Sequence, residues 1–203
     1  MFTVVVFSII MIFVYNLVSI YRSASQKHRK EKSRVYLYFG SSYYATPIVV
    51  SRCFVDIINM FKCKYVGVSF LGARVVVKVN SKFVVCAFSE KRANACGKKY
   101  DLGAGGMVSS TQTCDMSAHE ELFEELGIDD VPKYKFTVTP AQGFYCIVAV
   151  YIIDITVEQF TKMRSIDGTF IKFDTYSIDD VHKVYNEMRN DSVKLLKSYH
   201  YLL

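Results

Sequence analysis

GGMVSSTQTCDMSAHEELFEELGI, residues 105–128, decides how this chain is read. Two glycines open the stretch, a polar approach follows, and a segment loaded with acid closes it. Thr113 or Asp115 suits the start of a helix, and Gly127 suits a left-handed stop just past Leu126. Ala118, Leu122 and Leu126 recur at four-residue spacing and give that helix one apolar stripe. Glu120, Glu121, Glu124 and Glu125 crowd its last two turns. Like charges three or four residues apart cost a helix roughly 0.2–0.5 kcal/mol per pair. They also stand at the end where the helix dipole is already negative. No Lys or Arg occurs between Met107 and Pro132. Either the face is simply solvated, or a cation reaches it from outside the stretch.

The spacing resembles the signature box of the Nudix hydrolases: G, five residues, E, seven residues, then R-E-U-x-E-E-x-G-U with U apolar. Gly106, Glu121, Leu122, Glu124, Glu125, Gly127 and Ile128 fall in register, and Ala118 stands where the family often has Ala. Two positions depart, with Gln112 for the first Glu and Glu120 for the Arg. Upstream, Tyr100-Asp101 followed by Ala104-Gly105-Gly106 is similar to the W-D…A-G-G approach of the isopentenyl-diphosphate-isomerase-like branch. The resemblance implies an α/β fold, a mixed central sheet sandwiched between helices, over residues 65–203. It implies hydrolysis of a phosphoanhydride in a nucleoside diphosphate linked to another moiety.

That reaction needs the diphosphate charge neutralised and a water aligned. Mg²⁺ takes hard oxygen ligands, and Mn²⁺ is similar. Glu121, Glu124 and Glu125, with the backbone carbonyl at Gly105, are the expected metal ligands. Glu121 and Glu124 are the expected catalytic residues. Gly105 and Gly106 let main chain approach a phosphate closely. Arg92 and Lys98, in the polar segment before the glycines, are candidates for holding substrate phosphates, as related enzymes use a basic residue there. Nucleotide sugars, nucleoside triphosphates, coenzyme A and capped RNA all stay open as substrates. Two other readings compete: a Nudix-fold binding module that has lost catalysis, and an isomerase, for which Cys96 is only a nominal nucleophile.

Composition narrows the rest. The net charge is +6, of which residues 22–34 carry +5, so residues 35–203 are close to neutral. A basic linker is weak ground for a nucleic-acid-binding domain. The six cysteines are scattered with no C-x-x-C pair, which argues against zinc. Phe2 to Tyr21 is apolar with four polar interruptions, long enough as a helix to span a bilayer core. The expected organisation is therefore a single-pass anchor over 1–21 and a basic linker over 22–34. An N-terminal extension over 35–64 and the catalytic domain follow. Basic residues flank the anchor on its C-terminal side, which places the domain in the cytosol.

Along the domain, strands are expected at Val35–Phe39, Tyr65–Leu71, Arg74–Val79 and Lys82–Ser89, the last two joined by a turn at Asn80-Ser81. Ser51 is read as the cap of a short helix carrying Phe54, Ile57, Ile58 and Phe61. Residues 91–99 read as a polar loop. Lys135–Thr139, Gly143–Ile155 and Thr169–Phe173 read as strands, Glu158–Met163 as a short helix, and Ser177 as the cap of a final helical region.

Overall fold

The fold, taken from a computed structural model, is described for residues 34–39, 48–51, 68–138 and 146–200. Val68–Val79 forms one long strand where two were expected. Gly72-Ala73 does not break it, because both residues sit in the ladder with Ile147–Ile155. We number this strand β3, after β1 (Arg34–Phe39) and β2 (Ile48–Ser51). β1 pairs antiparallel with both β2 and the start of β3, so the segment before residue 65 contributes strands to the same sheet. Asn80 and Ser81, both at positive φ, turn β3 into β4 (Lys82–Phe88), as the hairpin reading expected.

β3 and β4 stay paired only at the hairpin end. Residues 100–107 fill the gap beyond it. Their first part, β5 (Tyr100–Leu102), bonds β4, and their second, β6 (Ala104–Met107), bonds β3. Gly103 makes the change of partner at φ 65°, and a Cβ there would lie 1.9 Å from the Val75 carbonyl oxygen. On the other edge of β3, β8 (Ile147–Ile155) runs parallel, with β7 (Lys133–Val138) antiparallel outside it. β9 (Phe170–Tyr176) closes the far edge of β4. The result is a mixed sheet of nine strands among the described residues.

Helices cover both faces. α2 (Cys114–Leu126) buries Ala118, Leu122 and Leu126 against Ala73, Val75, Val77, Val84 and Cys86. On the opposite face Leu195 and Leu196 of α5 (Asn190–His200) pack on Val76, Phe83, Val85 and Leu102. Burying a leucine side chain contributes roughly 1.5–3 kcal/mol. Leu122 and Leu126 together thus outweigh three Glu–Glu repulsions of up to about 0.5 kcal/mol each. The tertiary core, not helix propensity, holds the acids in helical register.

Between these, Glu90–Cys96 is a helix, α1, where a polar loop was expected. Glu90, Lys91, Arg92, Ala93 and Ala95 are good helix formers and Gly97 ends it at φ 67°, but only Ala93 packs on the core, so no apolar stripe marks it. α3 (Val157–Thr161) carries a capping box between Thr156 and Gln159. Ser177 caps α4 (Ile178–Val181), and one 3₁₀ stretch, His182–Glu187, leads to α5. The helix expected after Ser51 and the membrane span expected over 2–21 lie outside the described residues. Among the described residues no helix is long and apolar enough to cross a membrane.

Candidate active site

α2 is fixed at both ends before its acids matter. The Thr113 side chain accepts from the Met116 amide at 3.2 Å, so Thr113, not Asp115, is the N-cap. Asp115 instead accepts the Tyr151 hydroxyl at 2.6 Å. Gly127 stops the helix at φ 69° and donates to Phe123 O at 2.8 Å. The remaining end carbonyls take amides from a distant loop. Ile166 N and Asp167 N donate to Glu124 O at 2.9 and 3.2 Å, and Arg164 N donates to Leu126 O at 3.2 Å. No basic side chain is needed at this helix end, because neutral N–H dipoles offset its carbonyls.

The acids meet the glycines of β6. Gly105 N donates to Glu125 Oε2 at 2.9 Å. A Cβ on Gly106 would lie 1.9 Å from Glu121 Oε1, so the Glu121 carboxylate occupies the space a side chain would take. Gly105 is equally constrained from the other side. A Cβ there would lie 2.7 Å from Ala73 O and 3.1 Å from Arg74 Cδ. Burial first, and then the Glu121 carboxylate beside it, push the Glu125 carboxyl up to about 7. The Gly105 amide and Arg74 pull it the other way. Glu120 and Glu124 are exposed, and Gln112 Nε2 donates to Glu120 Oε2, so the two residues that depart from the box face each other.

Gly105, Gly106, Glu121 and Glu125 are therefore brought together, with Glu124 one turn on from Glu121 along the same helix. Arg92 stands exposed on α1. Lys98 is half-buried and its Nζ donates to Asn186 O at 2.9 Å, which draws it toward the 3₁₀ stretch. Cys96 is exposed, and its Sγ lies 3.3 Å from Lys98 O. Carboxylate and carbonyl oxygens are the donors that Mg²⁺ and Mn²⁺ take, so the donor set fits either ion. Among the described residues no three His, Cys, Asp or Glu side chains converge as a ready metal cage. Mg²⁺ sites of this kind use one or two carboxylates together with water and substrate phosphates.

Two features escaped the sequence reading. The first is the loop 164–167 that closes the end of α2. The second lies behind the glycines, on the α5 face of the sheet. Arg74 is 8% exposed and forms an ion pair with Asp101, itself 3% exposed. Arg74 Nε and Nη2 also donate to Leu102 O at 3.2 and 3.0 Å, and Nη2 to Ser192 Oγ at 2.8 Å. Ser192 Oγ and Leu102 N donate to Asp101 Oδ1, and Arg189 Nη1 to Oδ2 at 3.2 Å. Burial, and then Arg189 beside it, lower the Arg74 guanidinium to about 10, leaving it charged at neutral pH. A basic residue in an apolar strand, with Tyr100-Asp101 ahead of the glycines, was the available signal. Its partners are 27 and 118 residues away in sequence.

Scanned against protein-family models the chain matches none, and no curated protein matches it by sequence. Solved structures do match. The Deinococcus radiodurans protein DR0079 aligns at 13% identity and TM-score 0.54, over 63% of this chain and 81% of that one. A bifunctional NMN adenylyltransferase/ADP ribose pyrophosphatase from Francisella tularensis, complexed with AMP and a Mn ion, aligns at 16% identity and TM-score 0.51. That alignment covers 72% of this chain and 48% of the other, so the chain spans about half of that protein. A MutT NUDIX hydrolase from Burkholderia pseudomallei aligns at 19% identity and TM-score 0.47, over 63% and 95%. At such identities the likeness is one of fold alone: this chain shares the fold of the Deinococcus radiodurans protein and of part of the Francisella tularensis enzyme.

Proposed function

We propose that this protein is a membrane-anchored hydrolase that cleaves a phosphoanhydride bond in a nucleoside diphosphate linked to another moiety, with Mg²⁺ or Mn²⁺. The observation that carries the reading is the seating of Glu121 and Glu125 on Gly106 and Gly105. It joins the acid helix to the Gly105-Gly106 backbone of β6, which has no side chains of its own. Glu121, Glu125 and the Gly105 carbonyl would hold the ion, with Glu124 completing the set at the exposed rim. A divalent ion in that position supplies charge neutralisation of the diphosphate and Lewis acidity at the reacting phosphorus. The chain's own contribution would be to hold these oxygens on a rigid helix seated against Gly105 and Gly106. Glu124, exposed and on the same helix as half-buried Glu121 and Glu125, would accept a proton from the attacking water.

A second reading, a Nudix-fold binding module without catalysis, is favoured by one observation. Glu120 puts a negative charge where the box has a positive one. The full chain in detergent, assayed with Mg²⁺ or Mn²⁺ against nucleotide sugars, nucleoside triphosphates, coenzyme A and capped RNA, separates the two. Hydrolysis of at least one class is expected, falling about 10²–10⁴-fold in Glu124→Gln. Silence across the panel, with activity appearing in the Gln112→Glu plus Glu120→Arg variant, would establish the binding module instead.

A further inference from the structure

We infer that Arg74 is a positioning residue for the carboxylate site, acting through the sheet from the face opposite α2. The inference rests on the proposed metal-dependent reading for its meaning, but its decisive readout needs no metal. Ala73, Val75 and Val77 point to the α2 face, whereas Arg74 shares the α5 face with Val76. From there it grips the 100–107 segment at both sides of the Gly103 switch. Its guanidinium holds Asp101 and Leu102 O, the last two residues of β5. Its aliphatic stem lies against Gly105, whose amide holds Glu125. Arg74 and Gly105 are also direct register partners across the β3–β6 ladder. The segment whose Gly105 amide holds Glu125 is thus clamped at one end by the guanidinium and at the other by the stem.

A structural filler would not require this arrangement. A buried ion pair is often matched in stability by apolar side chains of similar volume. The guanidinium does what such side chains cannot: it fixes the height of the Leu102 carbonyl by two donors at once, in one plane. Ser192 and Arg189 of the α5 region hold the same Asp101, so the guanidinium has little freedom to swing away. Groups that orient a metal-binding shell in this way typically change metal affinity about 10–100-fold when removed.

The test uses the full chain in detergent micelles and the double variant Arg74→Met plus Asp101→Leu, which removes both charges together. It is expected to stay folded at a lower melting temperature, because buried Ser192 Oγ and Leu102 O lose partners while no unpaired ion of the pair remains. Hydrogen exchange at the Gly105 amide, measured with metal chelated, is expected to quicken about tenfold or more, while amides of Val84 and Ala149 keep their protection. Mn²⁺ affinity is expected to fall about 10–100-fold. Parental exchange at Gly105 in a stably folded double variant would overturn the inference. If the double variant does not fold, Arg74→Lys decides: it keeps the charge but loses the planar fork. Faster Gly105 exchange then supports positioning, and unchanged exchange refutes it. Should the parent bind no Mn²⁺ while Gly105 still responds, the metal-dependent reading falls and the positioning role stands.

Discussion

Gln112 and Glu120 face each other on the rim of the site, and the geometry explains why the pair tolerates its unusual composition. An amide N–H donating to a carboxylate is a charge-assisted bond, so Glu120 is not left without a partner. The pair is largely solvated, and restoring the box residues with Gln112→Glu plus Glu120→Arg should shift stability by no more than about 0.5 kcal/mol. Glu120→Arg alone adds positive charge beside Glu124 and should lower KM for an anionic substrate; steady-state kinetics at low salt would check it. Glu125 gives a pH signature. With metal chelated, the folded chain keeps the Glu125 proton to about pH 7, against an ordinary value of 4.5. Over that interval the folded state binds the extra proton, so stability falls as pH rises and the contribution is gone above about 7. Glu125→Gln should flatten this slope in denaturant titrations between those limits. A slope that survives the substitution would assign it to another group.

At the scale of elements, two glycines of the same β5–β6 segment should behave oppositely. Gly103 sits at φ 65° with a backbone oxygen 1.9 Å from its missing Cβ, so Gly103→Ala must break the β5–β6 switch. A loss above about 4 kcal/mol is expected, the range of substitutions that displace backbone. Gly106 has the same 1.9 Å distance, but to the tip of the Glu121 side chain, which can swing away. Gly106→Ala should therefore keep the fold, with a cost near 1 kcal/mol, and lose hydrolysis by displacing Glu121. Thermal melts and activity on the same two preparations separate the cases. Equal stability of the two variants would show that the turn is softer than its contacts suggest.

For the whole molecule, the proposed anchor over residues 2–21 would set where the site works. We expect residues 2–21 to hold the protein in a membrane with residues 35–203 on the cytosolic side. The sequon Asn190-Asp191-Ser192 reports on this, because Asn190 is exposed on the folded domain. Mobility unchanged by glycosidase treatment is expected. A glycan at Asn190, verified by its loss in Asn190→Gln, would put the domain on the other side of the membrane. Ser192 is the wrong position for this control, since it is fully buried and bonded to Asp101.

The local grammar of the chain was legible without the fold. The start of α2 was narrowed to Thr113 or Asp115 and its end to Gly127, Asn80-Ser81 makes the hairpin, and Ala118, Leu122 and Leu126 form the buried stripe, because caps, turns and periodicity are properties of neighbouring residues. The Gln112–Glu120 contact is local in the same sense, its members lying eight residues apart around one helix start. Other features were set by the tertiary structure. α1 carries too little apolar surface to announce itself, and Gly72 reads as a break until β8 is seen running beside it. The Arg74–Asp101–Ser192 network joins three elements far apart in sequence, and the amides that close α2 come from a loop some forty residues downstream. A buried ion pair is tolerable only when its partners arrive together, and their meeting is decided by the sheet that brings them to one face.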